Sequence, residues 1–346
     1  MHRWPPEPAD LRPLPKAELH QHLDGALRPA TAVELAAEVG LPLTPEDAEA
    51  RMVAPARCRD QAELLTYFDL PIALLQSAGA LERAAAELVE DLAADGVRYA
   101  EVRWAPRLHL AGGLSVGDVL AAVAEGVATG LRGGAPDQLV VLIVTAMRSH
   151  PPGANVELAH TAAEFGPPVV GFDLAGPEAA YPAPPHAAAF RAAEEGGLAL
   201  TAHAGEVPGP EHIRDALRLG VRRIAHGATT ADEPKLVAEV REGDVTLDLC
   251  PTSNVQAGLT ESLATHPLAR LHRAGVSVTL STDDRTVSGT DLSTEMARVA
   301  GAQGLAADEL RSIALNGFRR GFGPRPYLES AVAAADRAWR VWSGIS

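Results

Sequence analysis

Two histidines stand two residues apart in the segment AELHQHL, near the beginning of the 346-residue sequence. On a β-strand, side chains two residues apart point to one face, so the imidazoles of His20 and His22 could share a metal ion. His203 and Asp283, which end later apolar runs, would complete a set of three histidines and one carboxylate. Nitrogen and oxygen ligands without a thiolate suit a catalytic zinc site that keeps one position open. Taken alone, a His-x-His pair arises by chance about as often as it marks a metal site. The polar residues at the ends of the other predicted strands favour a metal site here.

Carboxylates close to these histidines could carry acid–base chemistry. Glu206 lies three residues after His203, where a carboxylate near a metal, but not bound to it, could act as a general acid or base. Alone, such a residue would more often cap the helix that begins near Pro210. Asp283 and Asp284 end another apolar run, and because neighbouring side chains on a strand point to opposite faces, one could bind the metal while the other faces a substrate. Adjacent acids also occur in plain turns, but the preceding apolar strand favours a functional site.

Eight short runs, most of them rich in Val, Ile and Leu, could supply the strands that position these residues. Such runs are typical of parallel strands buried on both faces, and helical patterns separate them. The alternation predicts an α/β fold, a (β/α)8 TIM barrel, in which the carboxyl ends of all strands meet at one mouth. Asp24, Gly176 and His226 also follow or end predicted strands and would join that mouth. The predicted strands are residues 17–23, 97–104, 139–145, 169–175, 198–203, 223–226, 245–250 and 276–282.

One connection in this pattern is much longer than a single crossover helix requires. Residues 25–96 separate the first two strands and contain helical patterns at 29–39, 61–76 and 81–94. A long excursion after a barrel strand commonly forms a lid or a binding wall, for which Leu64, Tyr67, Phe68 and Leu70 are candidates. No repeat and no low-complexity linker interrupts the sequence, so we expect residues 1–346 to form a single barrel domain.

The composition argues against several classes of protein and of site. With 47% apolar residues the chain is unlike a disordered one, and its net charge of −15 argues against nucleic acid or an anionic membrane as a partner. Lys16 and Lys235 are the only lysines. Binuclear barrel hydrolases often bridge two metals with a carboxylated lysine on the fourth strand, and the fourth predicted strand here has none. One metal ion per chain is therefore favoured over two.

Cysteine usage and hydropathy predict a cytoplasmic protein. Cys58 and Cys250 are the two cysteines, and they form neither a disulfide framework nor a Cys-x-x-Cys metal motif. The first residues are proline-rich and polar, without the apolar stretch of a signal peptide. No apolar run reaches the roughly 18 residues that a membrane helix needs.

The motifs, taken together, resemble those of one enzyme family. The segments PKAELHQHLDGALRP, YAEVRWAP, GFDLAGPE, TAHAGEVPGP, RIAHG, CPTSN and TLSTDD are similar, in this order, to motifs of the adenosine deaminase family of the amidohydrolase superfamily. HLDG, HAGE and STDD in this order are specific, whereas CPTSN or FDLAG alone would be weak. The resemblance extends from about residue 16 to residue 322. It implies a (β/α)8 barrel with one zinc ion and a small-molecule purine nucleoside as ligand.

The resemblance also implies a role for the residues at the metal. Glu206 would donate a proton to purine N1, and His226 would orient the attacking water, whose proton either Asp283 or His226 would accept. The zinc ligands would be His20, His22, His203 and Asp283.

Three further residues would contact the substrate. Asp284 would hydrogen-bond purine N7, the backbone of Gly176 would meet N3, and Asp24 would bind the ribose 5′-hydroxyl. The sequence departs from the family where Arg285 follows Asp284, because the family usually has proline there. Arg285 could contact a carboxylate or phosphate of the substrate, although a solvent-facing position before the next helix is the more common role.

Three functions are compatible with these residues. The preferred one is zinc-dependent hydrolytic deamination of adenosine, or of a closely related 6-aminopurine nucleoside, to the 6-oxo product and ammonia. Within the family, free adenine, AMP and a 5′-modified adenosine such as aminodeoxyfutalosine are alternative substrates. A metal-dependent hydrolase of esters, amides or phosphoesters on the same barrel would be expected to hold two metals. A non-catalytic nucleoside-binding relative would not need every motif acid and histidine, all of which this sequence retains.

Overall fold

Eight parallel strands form the centre of the computed structural model, which describes residues 4–135 and 137–344. Each strand pairs with its neighbours in sequence, in the order β1 to β8. The strands are β1 (Lys16–His22), β2 (Val97–Trp104), β3 (Leu139–Met147), β4 (Val169–Ala175), β5 (Ala199–Ala204), β6 (Arg223–His226), β7 (Thr246–Leu249) and β8 (Ser277–Leu280).

Main-chain hydrogen bonds between β1 and the segment after β8 close the sheet into a barrel. The amide of His22 donates to the carbonyl of Asp283 over 2.8 Å, and the amide of Asp283 donates to the carbonyl of His20 over 3.0 Å. The predicted (β/α)8 barrel is therefore confirmed, and each of the eight predicted strands overlaps an observed one. The same closure places the His-x-His pair beside Asp283.

Helices surround the barrel and return the chain from one strand to the next. Several begin at a proline, whose missing N–H costs nothing in the first turn of a helix. Among the residues described, no helix is both long and apolar enough to cross a membrane. Short 3-10 helices lie at Asp24–Ala26, Thr66–Phe68, Pro106–His109, Pro184–His186 and Ala228–Asp232. The α-helices are α1 (Pro8–Leu11), α2 (Pro29–Glu38), α3 (Pro45–Met52), α4 (Gln61–Leu65), α5 (Asp69–Leu74), α6 (Ala78–Ala94), α7 (Val116–Gly133), α8 (Pro152–Phe165), α9 (Ala187–Glu195), α10 (Pro210–Arg218), α11 (Pro234–Glu242), α12 (Pro251–Gln256), α13 (Leu268–Arg273), α14 (Leu292–Gln303), α15 (Ala307–Arg320) and α16 (Arg325–Ser343).

The long connection between β1 and β2 is helical, but one of its predicted helices is wrong. The pattern at 61–76 predicts a continuous helix, whereas the chain forms α4, a 3-10 turn and α5. Pro71 explains the break, because its ring would collide with the carbonyl four residues earlier and it has no N–H to continue the helix. A new helix, α5, then begins at Asp69 and has Pro71 in its first turn. Helix α3 has no predicted counterpart, although Thr44 caps it by accepting the amide of Asp47 over 3.1 Å.

A buried charge cluster lies inside the barrel, toward the amino ends of the strands. Arg223, the first residue of β6, contacts Asp248 through Nε at 2.8 Å and also pairs with Glu101. All three side chains are almost completely buried, with exposed fractions of 2% for Arg223 and 0% for both acids. The arginine therefore gives a cationic partner to two carboxylates that have no access to water.

Replacing Arg223 by alanine is expected to lower the free energy of unfolding by about 3–5 kcal/mol, because it removes the arginine that pairs with two buried carboxylates. Urea unfolding of the metal-loaded protein measures this loss. The matched control is Arg214→Ala, which removes an arginine from ion pairs with Glu233 and Glu239, whose side chains are 31% and 46% exposed. That variant should lose about 1 kcal/mol or less. Equal losses in the two variants would contradict the expectation.

Candidate active site

Four strands bring side chains together at the carboxyl end of the barrel. These side chains belong to β1, β5 and β6 and to Asp283, which lies shortly after β8. His20 and His22 occupy alternate positions of β1, and the two-residue period of the strand turns both toward the same point. His203 and His226 lie at the ends of β5 and β6, and Asp283 follows β8. The fold thus brings together residues that are up to 263 positions apart in the sequence.

Ring nitrogens of three histidines and one oxygen of Asp283 surround a common point. Nε2 of His22 is 3.1 Å from Nε2 of His20 and 3.2 Å from Nε2 of His203. Oδ1 of Asp283 is 3.0 Å from Nε2 of His20 and 3.3 Å from Nε2 of His22. Ligands bound tetrahedrally to a metal at about 2.0–2.1 Å would be about 3.3 Å from one another. The four side chains therefore fit a metal ion.

Burial keeps two of these imidazoles neutral, as metal ligation requires. It lowers the pKa of His20 well below its usual value and the pKa of His22 to about 3. Burial also opposes protonation of His203, but the Asp173 carboxylate outweighs it and raises the pKa of this histidine. Nδ1 of His203 donates to Asp173 over 3.1 Å, which leaves Nε2 to face the other ligands.

Asp173 is the residue on β4 that orients His203, and sequence reasoning gave it no role. Its Oδ2 accepts hydrogen bonds from Thr145 Oγ1 at 3.2 Å and from Arg103 Nη1 at 3.4 Å. Partners of this kind fix the orientation and tautomer of a ligating histidine. The signal that could have identified Asp173 is an acid inside the apolar run GFDLAG.

Glu206 and His226 lie next to the ligand cluster. Nε2 of His226 is 3.3 Å from Oε1 of Glu206 and 3.7 Å from Oδ2 of Asp283. The φ angles of His226 and Asp283 are 65° and 66°, a left-handed conformation that residues other than glycine rarely adopt. Strained backbone of this kind is concentrated at functional sites, and here it turns the two side chains toward one point.

Asp24, Gly176 and Asp284 line a cavity beside the cluster, together with Glu206. Gly25 leaves room for Asp284, since a Cβ at residue 25 would clash with the Asp284 carboxylate. Burial, with the charge of Asp283 next to it, raises the pKa of Asp284 well above its usual value. Burial also raises the pKa of Asp24.

Apolar side chains, several of them from the long connection after β1, form a wall of this cavity. Of the four expected wall residues, Leu64 and Phe68 line it. Leu70 is instead buried in the main core, and Tyr67 packs against a small cluster that includes Cys58. Other apolar residues of the wall include Leu65, Ile72, Leu108 and Met147.

Comparison with known proteins identifies the family. The sequence model of the family described as adenosine deaminase matches residues 15–332. An adenosine deaminase from Enterococcus faecalis is 38% identical over 322 residues, which cover 91% of this chain and 94% of that protein. The chain belongs to the adenosine deaminase family. The resemblance carried by its motifs is thereby confirmed, and the protein is an enzyme, an aminohydrolase of this type.

Solved structures of related proteins have the same fold. An amidohydrolase from Burkholderia ambifaria with bound zinc has a TM-score of 0.90 and 25% identity, covering 99% of this chain and 96% of that one. Arabidopsis ADAL complexed with IMP has a TM-score of 0.84 and 27% identity, covering 96% and 98% of the two chains. Two overlapping groups at this point could hold a metal ion: a fully buried one of His20, His203, His226 and Asp283, and one of His22, Asp283 and Asp284. In a member of this family the cluster is therefore a metal site.

Glu178 is a second residue of this deaminase that sequence reasoning left without a role. Its side chain is 1% exposed. Its two oxygens accept the backbone amides of Gly205 at 3.1 Å and Glu206 at 2.9 Å. Glu178 therefore holds the turn that carries Glu206, and it can be seen in the sequence only as the last letter of GFDLAGPE.

The CPTSN motif contributes two more contacts of the deaminase site. Ser253 Oγ donates to Oδ2 of Asp283 over 2.6 Å, and Asn254 Nδ2 lies 3.2 Å from Nδ1 of His226. Both residues belong to α12, which begins directly after β7. The motif contributes to the resemblance, but only the fold shows which side chains these residues contact.

Arg285 is directed away from the substrate cavity of this family member. Its Nη1 lies 3.6 Å from Oδ2 of Asp95, and its side chain is 15% exposed. It is therefore largely buried rather than solvent-facing. Among the described residues, those that line the cavity do not include Arg285.

Proposed function

We propose that the protein is a zinc-dependent deaminase that hydrolyses adenosine, or a closely related 6-aminopurine nucleoside, to the 6-oxo purine and ammonia. The observation that carries the proposal is the placement of a four-ligand metal cluster against two carboxylic acids. Glu206 lies within 3.3 Å of His226, and Asp284 is next in sequence to Asp283. Family membership adds that the chain is an aminohydrolase.

One zinc ion per chain would be held by His20, His22, His203 and Asp283. Imidazole and carboxylate ligands at tetrahedral spacing suit this ion. When bound, zinc would supply a Lewis acid that makes water nucleophilic near neutral pH. A second, lysine-bridged metal has no support from either lysine. Lys16 Nζ donates to the carbonyls of Leu11 and Leu14 at the opposite end of β1, and Lys235 lies on α11 rather than on a barrel strand.

The reaction needs a proton donor at N1 of the purine and a proton acceptor at the attacking water. Glu206, as the neutral acid, donates to N1, so that negative charge does not accumulate on the ring as the water attacks. Asp283 or His226 accepts the proton of the water, and His226 orients it. The apolar wall with Leu64 and Phe68 excludes bulk water from this step.

The remaining polar groups of the cavity would hold the nucleoside in place. Purine N7 can only accept a hydrogen bond, so Asp284 meets it as the protonated acid. The backbone of Gly176 meets N3, and Asp24 binds the 5′-hydroxyl of the ribose. Because Asp24 is an acid and Arg285 is directed away, the 5′ end of the cavity favours a hydroxyl over a phosphate.

The proposal is tested by following the absorbance change from adenosine to inosine with zinc-loaded protein. Adenosine should be turned over, and AMP should be at least about 100-fold poorer in kcat/KM. Adenine and aminodeoxyfutalosine complete the panel. The absence of turnover on every 6-aminopurine nucleoside would overturn the proposal, and two metal ions per chain would favour an ester or amide hydrolase instead.

Asp24→Ala is expected to lower kcat/KM for adenosine about 10- to 100-fold, because a hydrogen bond to a charged acceptor is lost. The same variant should change the turnover of 5′-deoxyadenosine, which lacks the hydroxyl, by less than about threefold. Steady-state kinetics with both substrates measure the difference. Asp47→Ala on α3 is the control and should alter neither. Equal losses on the two substrates would show that Asp24 does not bind the 5′-hydroxyl.

A further inference from the structure

A buried chain of hydrogen bonds runs from a backbone amide to the active-site histidine His226. It begins at the amide of Leu268, which lies 3.3 Å from Nδ1 of His266. A backbone N–H can only donate, so Nδ1 of His266 must accept. In a neutral imidazole the single proton is then on Nε2.

His266 is neutral because it is shielded from water. Its exposed fraction is 3%, and burial lowers its pKa to about 3. Its Nε2–H points to Oδ1 of Asn254 at 3.0 Å. The carbonyl oxygen of the Asn254 side chain is therefore fixed as the acceptor on this side.

The orientation of the Asn254 amide then determines what His226 can do. With Oδ1 facing His266, the NH2 group of Asn254 faces Nδ1 of His226 at 3.2 Å. An amide nitrogen donates, so Nδ1 of His226 accepts. In the neutral ring the proton of His226 is consequently on Nε2, the atom that faces the cavity.

We propose that His266 and Asn254 are positioning residues, which hold His226 in the tautomer that has its proton on Nε2. His226 then acts at the cavity as a hydrogen-bond donor and not as the base that takes the proton of water. The assignment of the tautomer follows from the hydrogen bonds alone. Its consequence for the reaction rests on the proposed function.

The groups around Nε2 of His226 fit a donor. Nε2 is 3.3 Å from Oε1 of Glu206 and 3.7 Å from Oδ2 of Asp283. A lone pair at this position would be repelled by the Asp283 carboxylate, whereas an N–H would be attracted to it. Of the two groups that could accept the proton of water, Asp283 or His226, this leaves Asp283. His226 would hold the oxygen of that water through its N–H.

Long-range proton–nitrogen correlation spectra of 15N-histidine-labelled, zinc-loaded protein distinguish the two tautomers directly. The signals of His226 are assigned by their loss in His226→Asn. We expect the shift pattern of an Nε2–H imidazole for both His226 and His266. An Nδ1–H pattern for His226 would overturn the proposal, and this readout does not depend on activity.

Two variants of His266 test whether the hydrogen bonds, and not the bulk of the ring, matter. Glutamine can accept from the Leu268 amide and donate to Asn254, whereas leucine can do neither. His266→Leu should lower kcat about 10- to 100-fold with KM and zinc content unchanged, and His266→Gln should restore most of that loss. In the His226→Asn background, neither variant should lower kcat further.

Equal losses in kcat for the leucine and glutamine variants, or the same losses in the His226→Asn background, would show that His266 acts only through packing. If His266→Leu does not fold, the spectrum of the unaltered protein and His266→Gln still decide the question. A protein with the Nε2–H pattern but no deaminase activity would leave the tautomer assignment intact and overturn the proposed function.

Discussion

Replacing Glu206 by glutamine is expected to lower kcat for adenosine about 1000-fold, while KM and zinc content stay near their original values. Glutamine has the shape of glutamic acid but cannot transfer a proton to N1 of the purine. The backbone of residue 206 would still be held by Glu178, which accepts its amide over 2.9 Å. The loss should therefore be in the chemical step and not in the position of the turn.

Steady-state kinetics and metal analysis of the same samples measure this effect. Glu211→Gln is the matched control, because Glu211 lies five residues further along the chain in the first turn of α10 and its side chain is 66% exposed. That variant should keep its full kcat. A Glu206→Gln variant with unchanged kcat would mean that another group donates the proton to N1.

Replacing His20 by alanine is expected to remove the metal and to lower kcat by at least about 1000-fold, since several kcal/mol of transition-state stabilisation depend on the ion. His20 is fully buried, and its Nε2 lies 3.1 Å from that of His22 and 3.0 Å from Asp283 Oδ1. Without His20 only three of the four tetrahedral ligand positions of the metal would be filled by protein side chains.

Metal content by elemental analysis, Tm with and without added zinc, and kcat measure the result. Zinc should raise the Tm of the unaltered apoprotein, because an ion that binds only the folded state stabilises it, and should raise that of His20→Ala much less. His272→Ala is the control, a half-buried histidine on α13, and it should retain both metal and activity. Normal zinc content in His20→Ala would show that His20 is not a ligand.

The fold was predictable because its strands alternate so regularly with helices. Runs such as LVVLIVT can only be buried on both faces, and eight of them with intervening helices favour a closed parallel barrel. The long connection after β1 was predicted less well. Pro71 divides the expected helix at 61–76, and the polar segment of α3 has too few apolar residues to show helical periodicity. That residues 1–346 form one domain and that the protein is cytoplasmic stay predictions.

The residues at the mouth were predictable as a set, because barrel strands place their carboxyl ends together. His20 and His22 share a face through the period of the strand, and Asp283 joins them when β1 and the segment after β8 pair. Their individual roles as ligand, acid and substrate contact stay predictions that the variants above test. The left-handed φ angles of His226 and Asp283 had no signal in the sequence.

The sequence by itself determined the barrel, the family and the residue types available for chemistry, because these depend on local periodicity and on motifs that occur in a fixed order along the chain. The tertiary structure alone decided which atoms face one another. The direction of a hydrogen bond depends on which groups lie opposite each other in space, as in the path from Leu268 through His266 and Asn254 to His226. A pattern of letters can place a histidine at a strand end, but only its neighbours in space fix on which nitrogen its proton lies.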